Sequence, residues 1–319
     1  MINIAIDMMG GDFAPAEAVK GISSFLQEKH SPVFLQLIGD EAQIAALIEP
    51  LGLSADIYTI IPTTEVIGMH EHPTKALKEK PDSSIAVGFK LLGSGKADAF
   101  ISAGNTGAML VGALFSIKTI EGVLRPTIGG YIPREDGSLG LLLDVGLNAD
   151  CKPENLNQFA TLGSLFAKHI LNIVNPKTAL INLGEEEGKG NLLAQAAYPL
   201  LKENKHINFY GNIEGRDILM NTSDVMVCDG FTGNVALKLA ESVYDIVKRR
   251  NIFDEHFERF NFETYGGVPV LGVNKPVVIG HGISGVMAFK NMISIAIKMI
   301  ETDLTGKIRE TFSQCQEAF

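Results

Sequence analysis

Residues 225–238 read VMVCDGFTGNVALK. The apolar run Val225–Cys228 halts at Asp229, two glycines frame Phe231 and Thr232, and Asn234 leads into an amphipathic stretch. A short apolar run without polar alternation is the pattern of a strand covered on both faces. Asp229 is a residue type that caps helix N-termini, and glycine lets backbone approach closely. The stretch therefore predicts a buried strand, a polar glycine turn and a helix, the repeating unit of a parallel α/β sheet. Taken alone it is a capped turn. A set of such turns would mark a binding edge.

The same grammar recurs along the chain. IAIDMMGGDFAP offers Gly10, Gly11 and Asp12 after the first apolar run, and AFISAGNTGAML offers Ser102, Gly104, Asn105, Thr106 and Gly107. LLLDVGLNAD ends in Asp144 and Asn148, LINLGEEEGKGN in Lys189, Gly190 and Asn191, and VIGHGISG in His281 between two glycines. With Asp229, Gly230, Thr232, Gly233 and Asn234, each turn follows an expected strand. Strands are expected at residues 2–6, 33–38, 57–61, 97–101, 127–132, 139–143, 178–181, 208–210, 225–228 and 277–279. Helices are expected at 14–28, 84–93, 156–172, 192–203, 235–250 and 286–302. Their alternation argues for an α/β fold with a mostly parallel sheet and helices on both faces, without a linker to divide the chain: one domain over 1–319, with room for two lobes.

In a parallel sheet these turns share the carboxyl edge, where ligand crevices form. Turns that enter helices offer free N–H groups and the positive end of the helix dipole, while Ser, Thr and Asn add donors. Lys189 is the cation set inside a glycine pair. These features describe an anion site, most naturally for phosphate. No GxxxxGK[ST] sequence and no GxGxxG after the first strand is present, so nucleotide motifs are missing and no cofactor is expected.

Composition narrows the function classes. A net charge of −10 argues against a broad nucleic-acid footprint, which needs a basic face. Three widely spaced cysteines, Cys151, Cys228 and Cys315, suit a reducing cytoplasm better than a disulfide framework. No apolar run approaches the ~18 residues of a membrane span, and the N-terminus lacks the pattern of a secretory leader, so a cytoplasmic protein is expected. His70 and His72 form a weak His-x-His signal without other visible ligands, and no metal is expected.

The turns, in order, resemble the bacterial phosphate acyltransferases. The resemblance rests on DMMGGDFAP (7–15), PDSS (81–84), ADAFISAGNTGAML (97–110), RP (125–126), LLDVGLNAD (142–150), NLGEEEGKGN (182–191), GNIEGRDI (211–218), DVMVCDGFTGNVALK (224–238), YGGVPVLGVN (265–274) and HG (281–282). It implies a three-layer α/β/α fold like that of the isocitrate and isopropylmalate dehydrogenases and the phosphotransacetylases, and a homodimer. It implies transfer of a long-chain acyl group from acyl-[acyl carrier protein] to inorganic phosphate, giving acyl phosphate for phospholipid synthesis. Acyl carrier protein and phosphate are the partners implied, with a membrane glycerol-3-phosphate acyltransferase downstream and peripheral attachment to the inner membrane face.

Thioester-to-phosphate transfer needs two reactants held together and a tetrahedral oxyanion stabilised. Lys189 suits phosphate or oxyanion charge, and Asn234 suits orientation or donation to the oxyanion. Backbone amides around Gly104–Gly107 and Gly230–Gly233 are expected to complete the cradle, with Ser102, Asn105 and Thr106 as side-chain donors. Asp229 is expected to fix its loop or Lys189. Glu185, Glu186 and Glu187 are expected as helix-start charges and lysine partners, Arg216 and Asp217 as an ion pair or part of the phosphate entrance, and Cys228 as a buried, inert thiol. Met109, Leu110, Leu114 and Phe115 are candidates for an acyl groove. Lys75, Lys78 and Lys80, or Lys248, Arg249 and Arg250, are candidates for carrier-protein docking. Two alternatives remain at this point: a phosphotransacetylase-like enzyme using acyl-CoA, and a non-catalytic scaffold that binds the carrier protein.

Overall fold

The protein is described from a computed structural model covering residues 1–28 and 31–316. It comprises two compact units, Met1–Lys118 with Glu263–Thr305, and Thr119–Phe262 with Gly306–Phe319.

The first unit opens with β1 (Ile2–Asp7), α1 (Ala16–Leu26), β2 (Val33–Gly39), α2 (Glu41–Ile48) and β3 (Tyr58–Pro62). It continues through α3 (Pro73–Glu79), α4 (Ser84–Gly93), β4 (Ala99–Ser102) and α5 (Thr106–Ser116). The second unit contributes β5 (Thr127–Pro133), β6 (Leu139–Leu143), α6 (Pro153–His169), β7 (Lys177–Ile181) and α7 (Leu192–Glu203). After these come β8 (Asn208–Ile213), β9 (Val225–Val227), α8 (Gly230–Arg249) and the short α9 (Glu255–Glu258). The chain then returns to the first unit for β10 (Val268–Leu271), β11 (Val277–Ile279) and α10 (Val286–Glu301), and closes with α11 (Leu304–Gln316).

In the first unit the strand order is β3-β2-β1-β4-β11-β10, parallel throughout except for β10. In the second unit it is β5-β6-β9-β7-β8, again parallel except for β5, which forms an antiparallel pair with β6. Consecutive residues Ile4-Ala5-Ile6 of β1 and Leu141-Leu142-Leu143 of β6 are all inaccessible to solvent. Only helices on both faces can bury successive residues of a strand in this way. In the first unit α1 packs on α10, and α4 packs on α5; in the second α6 packs on α7 and on β9, while α8 lies against β5 and β6. The α/β class and the mostly parallel sheet are as expected from the sequence.

Ten expected strands are present, with ends displaced by at most a few residues. β10 was not anticipated, because Pro269 interrupts its apolar run and a proline cannot donate to a ladder. β10 lies antiparallel to β11, with Pro269 opposite Val278. α8 starts at Gly230 rather than at 235, since the glycine turn is itself the first helical turn. Cys151 and Cys228 are free thiols, and the side chain of Cys315 lies outside the described residues. No described helix is long and apolar enough to cross a membrane.

Candidate functional site

Within each unit, parallel register gathers three of the six turns at one sheet edge. In the first unit these follow β1, β4 and β11. They are tied to one another: the Asp12 amide donates to the Gly282 carbonyl at 2.7 Å, and the Gly280 amide to the Ser102 carbonyl at 2.8 Å. Beneath them lies Asp7, which is wholly buried. Its carboxylate accepts from Ser102 Oγ at 2.6 Å and from the Met9 amide at 3.0 Å, while Ser102 Oγ accepts from the Gly104 amide at 2.9 Å. Burial pushes the Asp7 carboxyl above the usual carboxylate range, and its hydrogen bonds oppose that rise. Asp7 was absent from the sequence-based site. Its signal was available: an acid closes an otherwise apolar strand, just before a glycine pair.

The expected donors of this unit divide by exposure. Ser102 is buried, and its hydroxyl is bonded to Asp7. Asn105 caps α5 by accepting from the Ala108 amide at 2.9 Å, and its Nδ2 faces the carbonyls of Gly68, Met69 and Glu71 at 3.0–3.2 Å. Both side chains thus build the loop. The amides of Thr106 and Gly107, in the first turn of α5, have no hydrogen-bond partner among the described residues, and Thr106 is exposed. Gly10 packs so closely that a Cβ there would stand 2.6 Å from the Gly104 nitrogen. His281 is half-buried, and its carbonyl accepts from the Ser284 amide.

In the second unit the turns follow β6, β7 and β9. Asp144 is fully buried and accepts from the Asn148 amide at 2.6 Å, Asn148 Nδ2 at 2.7 Å and the Leu147 amide at 3.2 Å. Burial also raises the Asp144 carboxyl above its ordinary range. Asp144 and Asn148 therefore organise their loop from below. The N-terminus of α8 rests on that loop: the Gly230 amide donates to the Asn148 carbonyl at 2.8 Å. A Cβ on Gly233 would run into the Asp144 carbonyl oxygen, so only glycine permits this approach.

Asp229 caps α8, accepting from the amide and hydroxyl of Thr232 at 2.9 and 2.8 Å. It fixes its own loop. The expectation of a cradle from the Gly230–Gly233 amides needs correction: those of Gly230, Thr232 and Gly233 are already bonded within the unit. What α8 leaves accessible is Asn234, an exposed side chain alongside Gly146, whose amide has no hydrogen-bond partner among the described residues.

The turn after β7 carries Lys189, exposed and with no carboxylate in ion-pair contact among the described residues. Its backbone is clamped. The Lys189 amide donates to the Glu186 carbonyl at 3.1 Å, Asn212 Nδ2 donates to the same carbonyl at 2.9 Å, and Asn182 Nδ2 donates to the Lys189 carbonyl at 3.0 Å. Gly190 follows with φ of +98°, a left-handed conformation that a side chain would strain. Asn191 caps α7 through the Ala194 amide at 2.8 Å. From sequence, Asn182 and Asn212 had no role at the site: the Asn182 bond closes a seven-residue turn rather than a helix cap, and the Asn212 bond reaches from β8 to the turn after β7. Between this turn and the β9 turn lies a pocket of about 280 Å³, whose more exposed polar lining, its lip, is Asn182, Asn191, Asp229 and Thr232.

Several other expectations change. Glu185 to Glu187 do not start a helix; Glu187 pairs with Lys202 at 2.9 Å, and Glu185 lies 3.8 Å from Arg216. Arg216 pairs with Glu214 at 3.0 Å rather than with Asp217, which instead accepts from the Glu214 amide. Met109 and Leu110 are core residues, so they cannot floor an acyl groove; only Leu114 and Phe115 are exposed. Lys80 pairs with Glu71 and Lys75 approaches Glu79, while Lys248 lies over the Tyr244 ring. Cys228 is buried, and burial pushes its thiol well above the ordinary value, which removes the thiolate that nucleophilic catalysis needs. No group of three described His, Cys, Asp or Glu side chains is placed to hold a metal.

A family model described as a fatty acid synthesis protein matches residues 2–259. A phosphate acyltransferase from Dictyoglomus turgidum is 42% identical, covering 97% of this chain and 97% of that protein. One from Aquifex aeolicus is 41% identical, covering 97% and 96%. This chain is a phosphate acyltransferase family member. It is accordingly an acyltransferase of the fatty acid synthesis group. Among solved structures, a phosphotransacetylase from Streptococcus pyogenes aligns with a TM-score of 0.67 at 20% identity, covering 94% of each chain. A 4-hydroxythreonine-4-phosphate dehydrogenase from Klebsiella pneumoniae aligns at 0.53 with 13% identity, covering 93% and 98%. At these identities the likeness is one of fold, and it joins the family to phosphotransacetylases and dehydrogenases of similar architecture.

Proposed function

We propose that the chain, as one catalytic domain of two lobes, transfers a long-chain acyl group from acyl-[acyl carrier protein] to inorganic phosphate. The observation that carries this reading is kinship with phosphate acyltransferases over nearly the whole chain. The Lys189 ammonium and the Asn234 amide, without ion-pair or side-chain hydrogen-bond partners among the described residues, support it: both are exposed at strand-end turns, where a polar reactant has access.

A phosphate oxygen attacks the thioester carbonyl carbon, forming a C–O bond and a tetrahedral oxyanion. The oxyanion collapses, the C–S bond breaks, and the thiolate takes up a proton as free carrier thiol. Phosphate is anionic at neutral pH and thiolate is a good leaving group, so the protein's task is positioning and charge stabilisation. Lys189 holds phosphate or oxyanion charge and can supply the proton that the departing thiolate takes up. Asn234 orients phosphate or donates to the oxyanion. On the first unit's own sheet edge, the Thr106 and Gly107 amides are offered as polar donors on turns that Gly10, Gly11, Asp12 and His281 also line. Asp7, Ser102, Asn105, Asp144, Asn148 and Asp229 act as positioning residues. A homodimer, a cytoplasmic location with peripheral membrane association, and hand-over of acyl phosphate to a membrane glycerol-3-phosphate acyltransferase complete the proposal.

The test is free-thiol release from palmitoyl-[acyl carrier protein] with and without phosphate. Phosphate-dependent release, falling at least ~10²-fold in Lys189→Ala, is expected, the magnitude being that of losing one oxyanion donor. Release from acyl-CoA alone would move the assignment to phosphotransacetylase-like chemistry. No release from either donor would leave a carrier-binding scaffold.

A further inference from the structure

We infer that the pocket between the β7 and β9 turns of the second unit seats the part of the fatty acyl chain nearest the thioester, with Ala194 setting its capacity. This rests on the acyl-transfer reading above.

The pocket, about 280 Å³, is walled by Leu156 of α6, Leu180 of β7, Leu193 and Ala194 of α7, and Cys228 just after β9. No lysine, arginine or histidine lines it. Its polar lining residues are among its more exposed ones and are already engaged: Asp229 holds the Thr232 amide and hydroxyl, Asn191 Oδ1 holds the Ala194 amide, and Asn182 holds the Lys189 carbonyl. Asp229 also repels an entering anion. Cys228 is buried among these walls and keeps its proton. Such a cavity selects a neutral, elongated, apolar group and excludes phosphate.

Its placement gives the orientation. The lip includes Asn182 and Asn191, which bracket Lys189, and Asn182 is bonded to the Lys189 carbonyl at 3.0 Å. An acyl chain seated among the leucines therefore leaves its carbonyl end at the turn that presents the lysine. The volume equals that of roughly nine waters at the ~30 Å³ each takes in the liquid, and a methylene group is of similar size. A longer chain must continue outside, and Leu183, 71% exposed beside the pocket, extends the apolar surface there. The sequence placed the acyl groove on α5, but Met109 and Leu110 of that helix are core residues.

The experiment compares kcat/KM for palmitoyl- and butyryl-[acyl carrier protein] in wild type and Ala194→Leu, under saturating phosphate. Leucine adds three carbons to the cavity and displaces about three methylenes. At roughly fourfold per buried methylene, the palmitoyl substrate should lose about 60-fold while the butyryl substrate stays within about threefold. Equal falls for both substrates, or no fall for palmitoyl, would overturn the inference. If Ala194→Leu fails to fold, Leu193→Ala decides: removing wall contacts should lower palmitoyl turnover selectively, and an unchanged ratio overturns the assignment. If the wild type shows no phosphate-dependent release from either substrate, the reaction reading falls instead. The pocket is then judged by binding of a fluorescent fatty acid methyl ester, where weaker binding by Ala194→Leu upholds it and equal binding overturns it.

Discussion

Replacing Asn182 by alanine tests how the turn after β7 holds Lys189. The asparagine bridges the turn, donating to the Lys189 carbonyl at 3.0 Å and accepting from the Leu183 amide at 2.8 Å. Its Oδ1 occupies the space that a side chain at position 190 would need, so Asn182 also supports the left-handed Gly190. Asn182→Ala leaves the Lys189 side chain intact but frees its backbone on one side. Each hydrogen bond in such a turn contributes ~0.5–1.5 kcal/mol, which bounds the loss of global stability to a few degrees in Tm. The effect on turnover is larger, because a misplacement of ~1 Å in a charged group costs about 10²-fold. We expect phosphate-dependent thiol release to fall ~10–100-fold in Asn182→Ala. The decisive measurement is the double variant. If Asn182 acts through Lys189, adding Asn182→Ala to Lys189→Ala should change the residual rate by less than about threefold. A further ~10-fold drop on the Lys189→Ala background would show that the two residues act independently and refute the clamp.

Three further outcomes follow from the same structure. Gly233→Ala places a methyl against the Asp144 carbonyl and 3.0 Å from Cys228 Sγ, so it should destabilise by ~1–3 kcal/mol and displace Asn234; an unchanged urea midpoint would contradict that packing. Asp7 keeps its proton to higher pH when folded than when unfolded, so its contribution to stability is complete below pH ~4 and declines as pH rises through the elevated folded value. Asp7→Asn should abolish that decline, and a wild-type-minus-variant stability difference flat with pH would count against it. Asn105→Ala removes the α5 cap and the donor facing three carbonyls, with an expected loss of at least ~1 kcal/mol and a raised KM for phosphate with kcat less affected; a stability loss with KM unmoved would make Asn105 purely structural.

The legible part of this protein was its local grammar. An apolar strand, a glycine turn and a capped helix are encoded within about a dozen neighbouring residues, and β6, β9, α4 and α7 appear where their patterns place them. β10 was hidden because its proline reads as a strand breaker, although a strand paired antiparallel to β11 tolerates it. The glycine turns were recognised as a set, and among the described residues Lys189 and Asn234 are exposed side chains of these turns with no ion pair or side-chain hydrogen bond.

Sequence did not distinguish a polar residue that faces a ligand from one that builds the loop. Ser102, Asn105, Asp144 and Asn148 have the composition of donors and ligands, yet each is at least nine-tenths buried, with its polar atoms bonded to backbone or to another loop residue. Spacing along the chain carries the helix caps, because their bonds close within three or four residues. It does not carry the bond from Ser102 to Asp7, 95 positions away, or the burial of Met109 and Leu110, which depends on what packs over α5. The sequence by itself determined the α/β class, the strand-end turns and the family, since these are written in local pattern and order. Only the tertiary structure decided which polar groups stay free for chemistry and where an apolar chain has room, because burial and long-range pairing arise when distant strands meet.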